Sequence, residues 1–400
     1  MASSMKTEQI EFYVLGKPDV AEIQGCFEYL DNNLTLTFID GKIISSNKVD
    51  AFSCLADIRN QILPLVPACK GAVLNVYPSG MSRDMSQGLI AYQTELGKNA
   101  ERKNLVKIFD PIDSSDILSS VREQIDYHES WLDSLIFYDQ EAFSSRIDNN
   151  LLSKYLGGLF GLACGDALGI SLEFLPRDTY PPIEDIIGGG CFDLKPGQWS
   201  DDTSMALCLT DSLLSIKGFS AYDQMNKYLR WYKDGFLSST GMCFDIGNTT
   251  RESLIKFSLT GEPYSGSIDP DSAGNGSLMR LAPISLAYRQ SLDASVLRSA
   301  QSSRTTHGAN ESVESCMFLN YLMVNALNGM SKNNLLSLQI AKNYLEKYPT
   351  SSSKLEAVIL GSYKIKSRES IVSDGYVVNT LEVALWSFFN TNSFRDSILK

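Results

Sequence analysis

The sequence predicts an all-α domain over residues 151–400 preceded by a small α+β domain over residues 1–145, and three observations carry that expectation. Apolar residues repeat at the helical period through the chain after Leu151; strand-like alternation is confined to the stretch before about Phe109; and the polar run Asp148-Asn149-Asn150 stands where the texture changes.

Near the start, Leu34-Thr35-Leu36-Thr37-Phe38-Ile39 alternates and meets Asp40-Gly41 before Lys42-Ile43-Ile44, the signature of a β-hairpin. Phe52, Leu55, Ile58, Arg59 and Ile62 fit a short amphipathic helix stopped before Pro64. Ala72–Tyr77 and Leu105–Phe109 read as strands closed by Pro78 and by Asp110-Pro111. Residues 112–150 read as polar and largely helical, with Trp131, Leu132, Leu135 and Ile136 as the apolar stripe. Beyond the boundary, helical periodicity covers 151–170, 203–217, 222–235, 292–302, 311–328, 333–347, 354–365 and 377–389, joined by loops rich in glycine and asparagine.

With 400 residues and 44% hydrophobic content, the chain can bury a large core in each of two domains. A net charge of -12 repels phosphate backbones, so nucleic acid is not expected as a partner. The eight cysteines (26, 54, 69, 164, 191, 208, 243 and 316) form no CxxC pair, and His128 and His307 are the only histidines, which argues for reduced thiols in a cytoplasmic protein and against structural zinc. No apolar run follows the first lysine as a secretory leader requires. The most membrane-like stretch, Tyr155–Gly165, lies between Lys154 and Asp166 and is far shorter than the roughly 20 residues of a spanning helix, so no membrane partner is expected.

Five motifs could carry chemistry. Gly157, Gly161, Gly165 and Gly169 recur at every fourth position, followed by Glu173; close helix packing is the plain reading, and ligand approach the alternative. Gly197-Gln198-Trp199-Ser200-Asp201-Asp202-Thr203 precedes an apolar helix, where hydroxyl and carboxylate groups serve as N-caps. The same groups are hard oxygen donors suited to Mg²⁺ or Mn²⁺, and one carboxylate can cap while the other binds metal. Asp245–Thr250 and Ala273–Arg280 are small-residue turns leading into helices, where exposed N–H groups can hold phosphate, although ordinary turns look the same. Arg304-Thr305-Thr306-His307 sets a histidine before a helix, more often a cap or a surface residue than a ligand.

Taken together, Gly165–Gly169 with Glu173, Trp199–Met205, Gly274–Arg280 and Thr306-His307 resemble, in order and spacing, the ADP-ribosylglycohydrolase family of the dinitrogenase-reductase-activating type. The resemblance spans about 151–400. It implies a compact all-helical hydrolase that uses two Mg²⁺ or Mn²⁺ ions to remove ADP-ribose from arginine or related acceptors. By residue it implies Ser200, Asp201 and Asp202 as metal ligands, with Ser200 standing where the family usually has threonine. Glu173, Asp202 and Asp245 become the catalytic carboxylates, Glu173 beside the metal-bound water and Asp245 facing the ribose. Asn275, Gly276 and Ser277 would face the diphosphate and His307 the adenosine side.

The family follows the helix resembling Asn379–Phe389 with a further helix and a Gly-Asp-x-Asp-Thr segment that supplies the remaining metal ligands; here Phe394, Ile398 and Leu399 begin an apolar stripe, and the sequence stops at Lys400 before that segment. The expectation is weak metal binding through half a ligand set. Were the ligands all internal, Asp166, Asp245 and Asp269 would be the candidates. Two functions stay open: an enzyme acting on an ADP-ribosylated protein, with an arginine-type acceptor, and a catalytically weak ADP-ribose-binding or immunity protein directed against an ADP-ribosyltransferase toxin. A purely structural role ranks below both.

Overall fold

The computed structural model describes residues 4–7, 9–137 and 149–400. Internal contacts divide the chain into two compact units, Met1–Gln140 and Glu141–Lys400.

In the first unit, five antiparallel strands lie in the order Ile43–Asn47, Asn33–Phe38, Lys17–Leu30, Ile10–Val14, Leu65–Pro67, and Ser4–Lys6 also pairs with the long strand. The alternating burial expected of a half-covered sheet is seen where Phe27, Tyr29, Leu34, Leu36 and Phe38 are buried and Glu28 is exposed. The Ala51–Ile62 helix covers that face with Leu55 and Ile58, and Asp50 caps it by accepting from Ser53 N at 2.7 Å. The expected hairpin forms, pairing Leu36 with Ile44, and its turn is closed by Phe38 N donating to Lys42 O, with Gly41 at φ +86°. A strand expected over 72–77 shrinks to Val76–Tyr77, because Lys70–Ala72 is a 3₁₀ turn whose Gly71 leaves no room for a Cβ, which would sit 2.6 Å from Leu55. The helical expectation for 112–150 holds over Val121–Phe137; Trp131 is buried but Leu132 is 43% exposed, and residues 138–148 lie outside the described residues.

The second unit is helical, and among its described residues there is no strand, only isolated bridges such as Gly274–Tyr376. The Leu292–Arg304 and Asn310–Leu327 helices pack together, and the latter also meets Ala282–Ala287 and Val377–Asn390. Two expected helices break. The 333–347 segment divides at Ser337, whose hydroxyl caps Leu338–Lys347. The 354–365 segment ends as an α-helix at Ile359, and Gly361 at φ +100° turns it into a 3₁₀ stretch. No helix among the described residues is long and apolar enough to cross a membrane.

Candidate active site

The Asn149–Gly169 helix ends beside the start of the Asp201–Ile216 helix, and this junction builds the acidic side of a cavity of about 1230 Å³. The four-residue glycine spacing does not serve close helix packing along its length. A Cβ on Gly157, Gly165 or Gly169 would meet nothing within 4 Å, and Gly165 and Gly169 border the cavity. Only Gly161 has a neighbour at contact distance, Phe394.

Sequence reasoning expects Ser200, Asp201 or Asp202 to cap the second helix. The cap comes instead from Asp166, across the junction. Its carboxylate accepts from Ser200 N at 2.9 Å, Thr203 N at 3.0 Å and Thr203 Oγ1 at 2.6 Å, while Ser200 makes no side-chain cap. That leaves the Asp201 and Asp202 carboxylates unclaimed by the helix end. Ser200 Oγ lies 3.4 Å from Asp201 Oδ1. Trp199 is held by its indole N–H on Leu237 O and by Ser239 Oγ donating to its carbonyl.

Glu173 and Asp245 complete the acidic side, with Asp245 held at φ +60°. Burial and the neighbouring carboxylates push these groups toward their neutral forms. Asp202 rises to about 8, from burial first and then from Asp166 and Glu173. Asp245 also rises to about 8, from burial first and then from Glu173, and burial raises Glu173 as well. Asp201 is raised well above the usual carboxylate range, chiefly by burial and then by Asp202. Among the described residues no lysine or arginine forms an ion pair with Asp166, Glu173, Asp201, Asp202 or Asp245.

Another part of the lining is neutral. Asn275, Gly276 and His307 line it, and Ser277 does not: its hydroxyl is buried against Ser303 Oγ at 2.8 Å. Asn275 is fixed by its N–H on Gly375 O at 3.1 Å and by its side-chain amide on Thr380 Oγ1 at 3.1 Å. At Gly276 a Cβ would fall 2.7 Å from His307 Cε1, so the loop and the imidazole touch only because that residue is glycine. His307 is buried with Nδ1 2.9 Å from Thr306 Oγ1, and burial, then Arg280, lowers its pKa to about 3, keeping the ring neutral. Asp269 is not part of the cavity; it caps a 3₁₀ turn by accepting from Asp271 N.

Arg280 organises this neutral side, a role the sequence does not signal. It is fully buried, donates to Gly276 O at 2.7 Å, Thr306 Oγ1 at 2.8 Å and Ser302 O at 3.2 Å, and lies over the Tyr228 ring at 4.7 Å. One side chain therefore ties the Asn275–Ser277 loop to the His307 segment.

The ADP-ribosylglycohydrolase family model matches residues 147–400. The chain belongs to the ADP-ribosylglycohydrolase family. Over 302 residues it is 39% identical to an ADP-ribosylarginine hydrolase, Tri1, of Serratia proteamaculans, covering 76% of this chain and 78% of that protein. A Tri1 of Pseudomonas putida is 45% identical over 248 residues, 62% of this chain and 64% of its own length. The ADP-ribosyl-[dinitrogen reductase] glycohydrolase of Rhodospirillum rubrum is 29% identical over 263 residues, 62% of this chain and 78% of its own. A solved ADP-ribosylglycohydrolase-related protein complex contains a chain with a TM-score of 0.55 at 38% identity, covering 63% of this chain and 81% of that one. The family makes the second unit a glycohydrolase, and the cavity is its candidate active site.

Whether a metal fits can be asked of the donor set. Ser200, Asp201 and Asp202 offer hard oxygens only, and burial and mutual repulsion push Asp201 and Asp202 toward their neutral forms, a cost that a divalent cation among them would relieve. Among the described residues no three His, Cys, Asp or Glu side chains are gathered into a metal-binding group, so the fit lies in donor chemistry and charge and not in a preassembled shell.

Proposed function

We propose that the second unit removes ADP-ribose from a modified arginine side chain of a protein, with Mg²⁺ or Mn²⁺ held by Ser200, Asp201 and Asp202. The observation that carries this reading is that one cavity is lined both by a cluster of buried carboxylates and by a neutral, glycine-containing loop with a buried histidine. Relatives named as ADP-ribosylarginine hydrolases point to the same acceptor.

In this reading the diphosphate meets the backbone of Asn275 and Gly276, and the adenosine end lies toward neutral His307. The Ser277 hydroxyl, buried behind the loop, supports it from below. The bond from ribose to the guanidine nitrogen then falls among Glu173, Asp202 and Asp245. Cleavage passes through an oxocarbenium-like state, whose growing positive charge favours the ionised form of the carboxylates beside it and is stabilised by them in turn. Glu173, in the cavity lining with Asp202 and Asp245, is the carboxylate that accepts a proton from the attacking water. A bound divalent ion would lower the pKa of a coordinated water and add positive charge against the carboxylates.

Two measurements test this. Calorimetry should detect ADP-ribose binding, and Gly276→Ala, which drives a methyl into His307, should weaken it at least about ten-fold, roughly 1.4 kcal/mol. Chromatography should show ADP-ribose released from ADP-ribosyl-arginine with Mg²⁺ or Mn²⁺ present, and Asp202→Asn should reduce that release at least about a hundred-fold. No binding at millimolar ADP-ribose, or full release by Asp202→Asn, refutes the proposal.

A further inference from the structure

Directly after Glu173, on the acidic side of the cavity, Phe174 is 74% exposed and lines the opening. Its backbone sits at φ +62°, a left-handed conformation that a bulky aromatic residue rarely takes. Such strain persists only where surroundings over-determine it, and it clusters at ligand clamps. Here the surroundings do so. Leu175 N closes a turn on Leu172 O at 3.1 Å. Arg177 Nη1 donates to Arg368 O and Ile371 O, each at 2.9 Å, and Arg368 in turn donates two hydrogen bonds to Asp178, at 2.7 and 3.1 Å. The loop is thus pinned on its far side by two reciprocal arginine links, and Phe174 presents a ring that buries nothing.

A held, exposed ring beside carboxylates suits one ligand chemistry better than others. A flat cation gains from the face of the ring and from the adjoining Glu173 carboxylate. A neutral purine would gain only the stacking, and a small neutral acceptor neither. We propose that Phe174 is a specificity-determining residue for the acceptor: its ring stacks on the guanidinium of the arginine that carries ADP-ribose. This rests on the arginine-acceptor reading above.

The test compares ADP-ribose, ADP-ribosyl-arginine and ADP-ribosyl-serine as ligands of the full 400-residue chain, by calorimetry in EDTA, with conjugate integrity checked by chromatography. The wild type should bind the arginine conjugate more tightly than the serine conjugate. Phe174→Leu keeps apolar bulk without an aromatic face and should weaken the arginine conjugate about five-fold, leaving ADP-ribose and the serine conjugate within about two-fold. Phe174→Trp should retain or tighten the arginine conjugate. A Phe174→Leu chain that keeps the full preference for arginine, or that loses all three ligands equally, overturns this inference and leaves the arginine reading standing. A wild type that binds ADP-ribose without preferring arginine overturns both.

Discussion

Replacing Arg280 by methionine separates a structural cation from a substrate-binding one. The side chain is fully buried, no carboxylate pairs with it among the described residues, and its charge is met by the Gly276 and Ser302 carbonyls, the Thr306 hydroxyl and the Tyr228 ring. Methionine fills much of the same length but leaves Gly276 O without its donor, a loss of about 1–3 kcal/mol for the orphaned group. The other lost bonds to a charged donor are worth roughly 1.5–3 kcal/mol each, and relief of the guanidinium's desolvation offsets part of the total. The net expectation is about 2–4 kcal/mol of destabilisation, which for a unit of this size lowers Tm by roughly 4–12 °C. Differential scanning calorimetry of the wild type and Arg280→Met reads the effect directly, and ADP-ribose affinity should fall with it because the Asn275–Ser277 loop loses its tie to His307. A Tm unchanged within about 1 °C, with ADP-ribose binding intact, would show that the network is not what holds the neutral side.

Two further outcomes follow from the same geometry. Asp166→Ala orphans the Ser200 and Thr203 amides at a helix start and should cost about 2 kcal/mol by thermal unfolding, with Asp166→Asn recovering part of it; equal stability of all three proteins would contradict the capping role. His307 has a folded pKa near 3 against about 6.5 unfolded, so only the unfolded chain takes up its proton between those values, and stability falls as pH drops through that window by up to about 1.4 kcal/mol per unit. The raised Asp202 and Asp245 have the opposite sign, losing stability as pH rises from about 4 toward 8. The histidine's share is therefore read as the difference between wild type and His307→Gln, which should shift against the wild type from pH 6.5 to 4; a constant difference would mean the ring is not held neutral by burial.

Much of the fold is legible in the sequence because it is written locally. The 149–169, 201–216, 221–234, 310–327 and 377–390 helices carry their period in their own residues, and the Asp40-Gly41 pair marks its turn without help from the rest of the chain. What escapes is decided at a distance. The Lys17–Leu30 strand is the longest in its sheet, yet only its second half alternates cleanly, with Phe27 and Tyr29 buried; the first half shifts register against Ile10–Val14 and reads as loop. A period-2 reading of Gly25–Leu30 would have found the part that pairs with Asn33–Phe38.

The site divides along the same line. Its donor types are legible, since Ser200-Asp201-Asp202 and Asn275-Gly276 announce oxygen ligands and an open backbone. Which carboxylate is free is not, because a string of hydroxyl and acid groups before a helix accounts for its own N–H groups unless another acceptor arrives from elsewhere in the chain. Asp166 arrives from 34 residues earlier and takes the Ser200 amide. That contact turns an ordinary capping string into a pair of acids not engaged at the helix end, and after burial the Asp166 carboxylate is the first of the neighbours that raise Asp202 to about 8. In the same way Arg280, within Gly274–Arg280, has one local acceptor in Gly276 O, but the rest lie on the segment that ends at His307. The lining of the cavity thus depends on two long-range side chains, Asp166 taking over the cap of the Asp201–Ile216 helix and Arg280 tying the Asn275–Ser277 loop to the His307 segment. A substitution at either should alter the site while leaving every sequence motif intact.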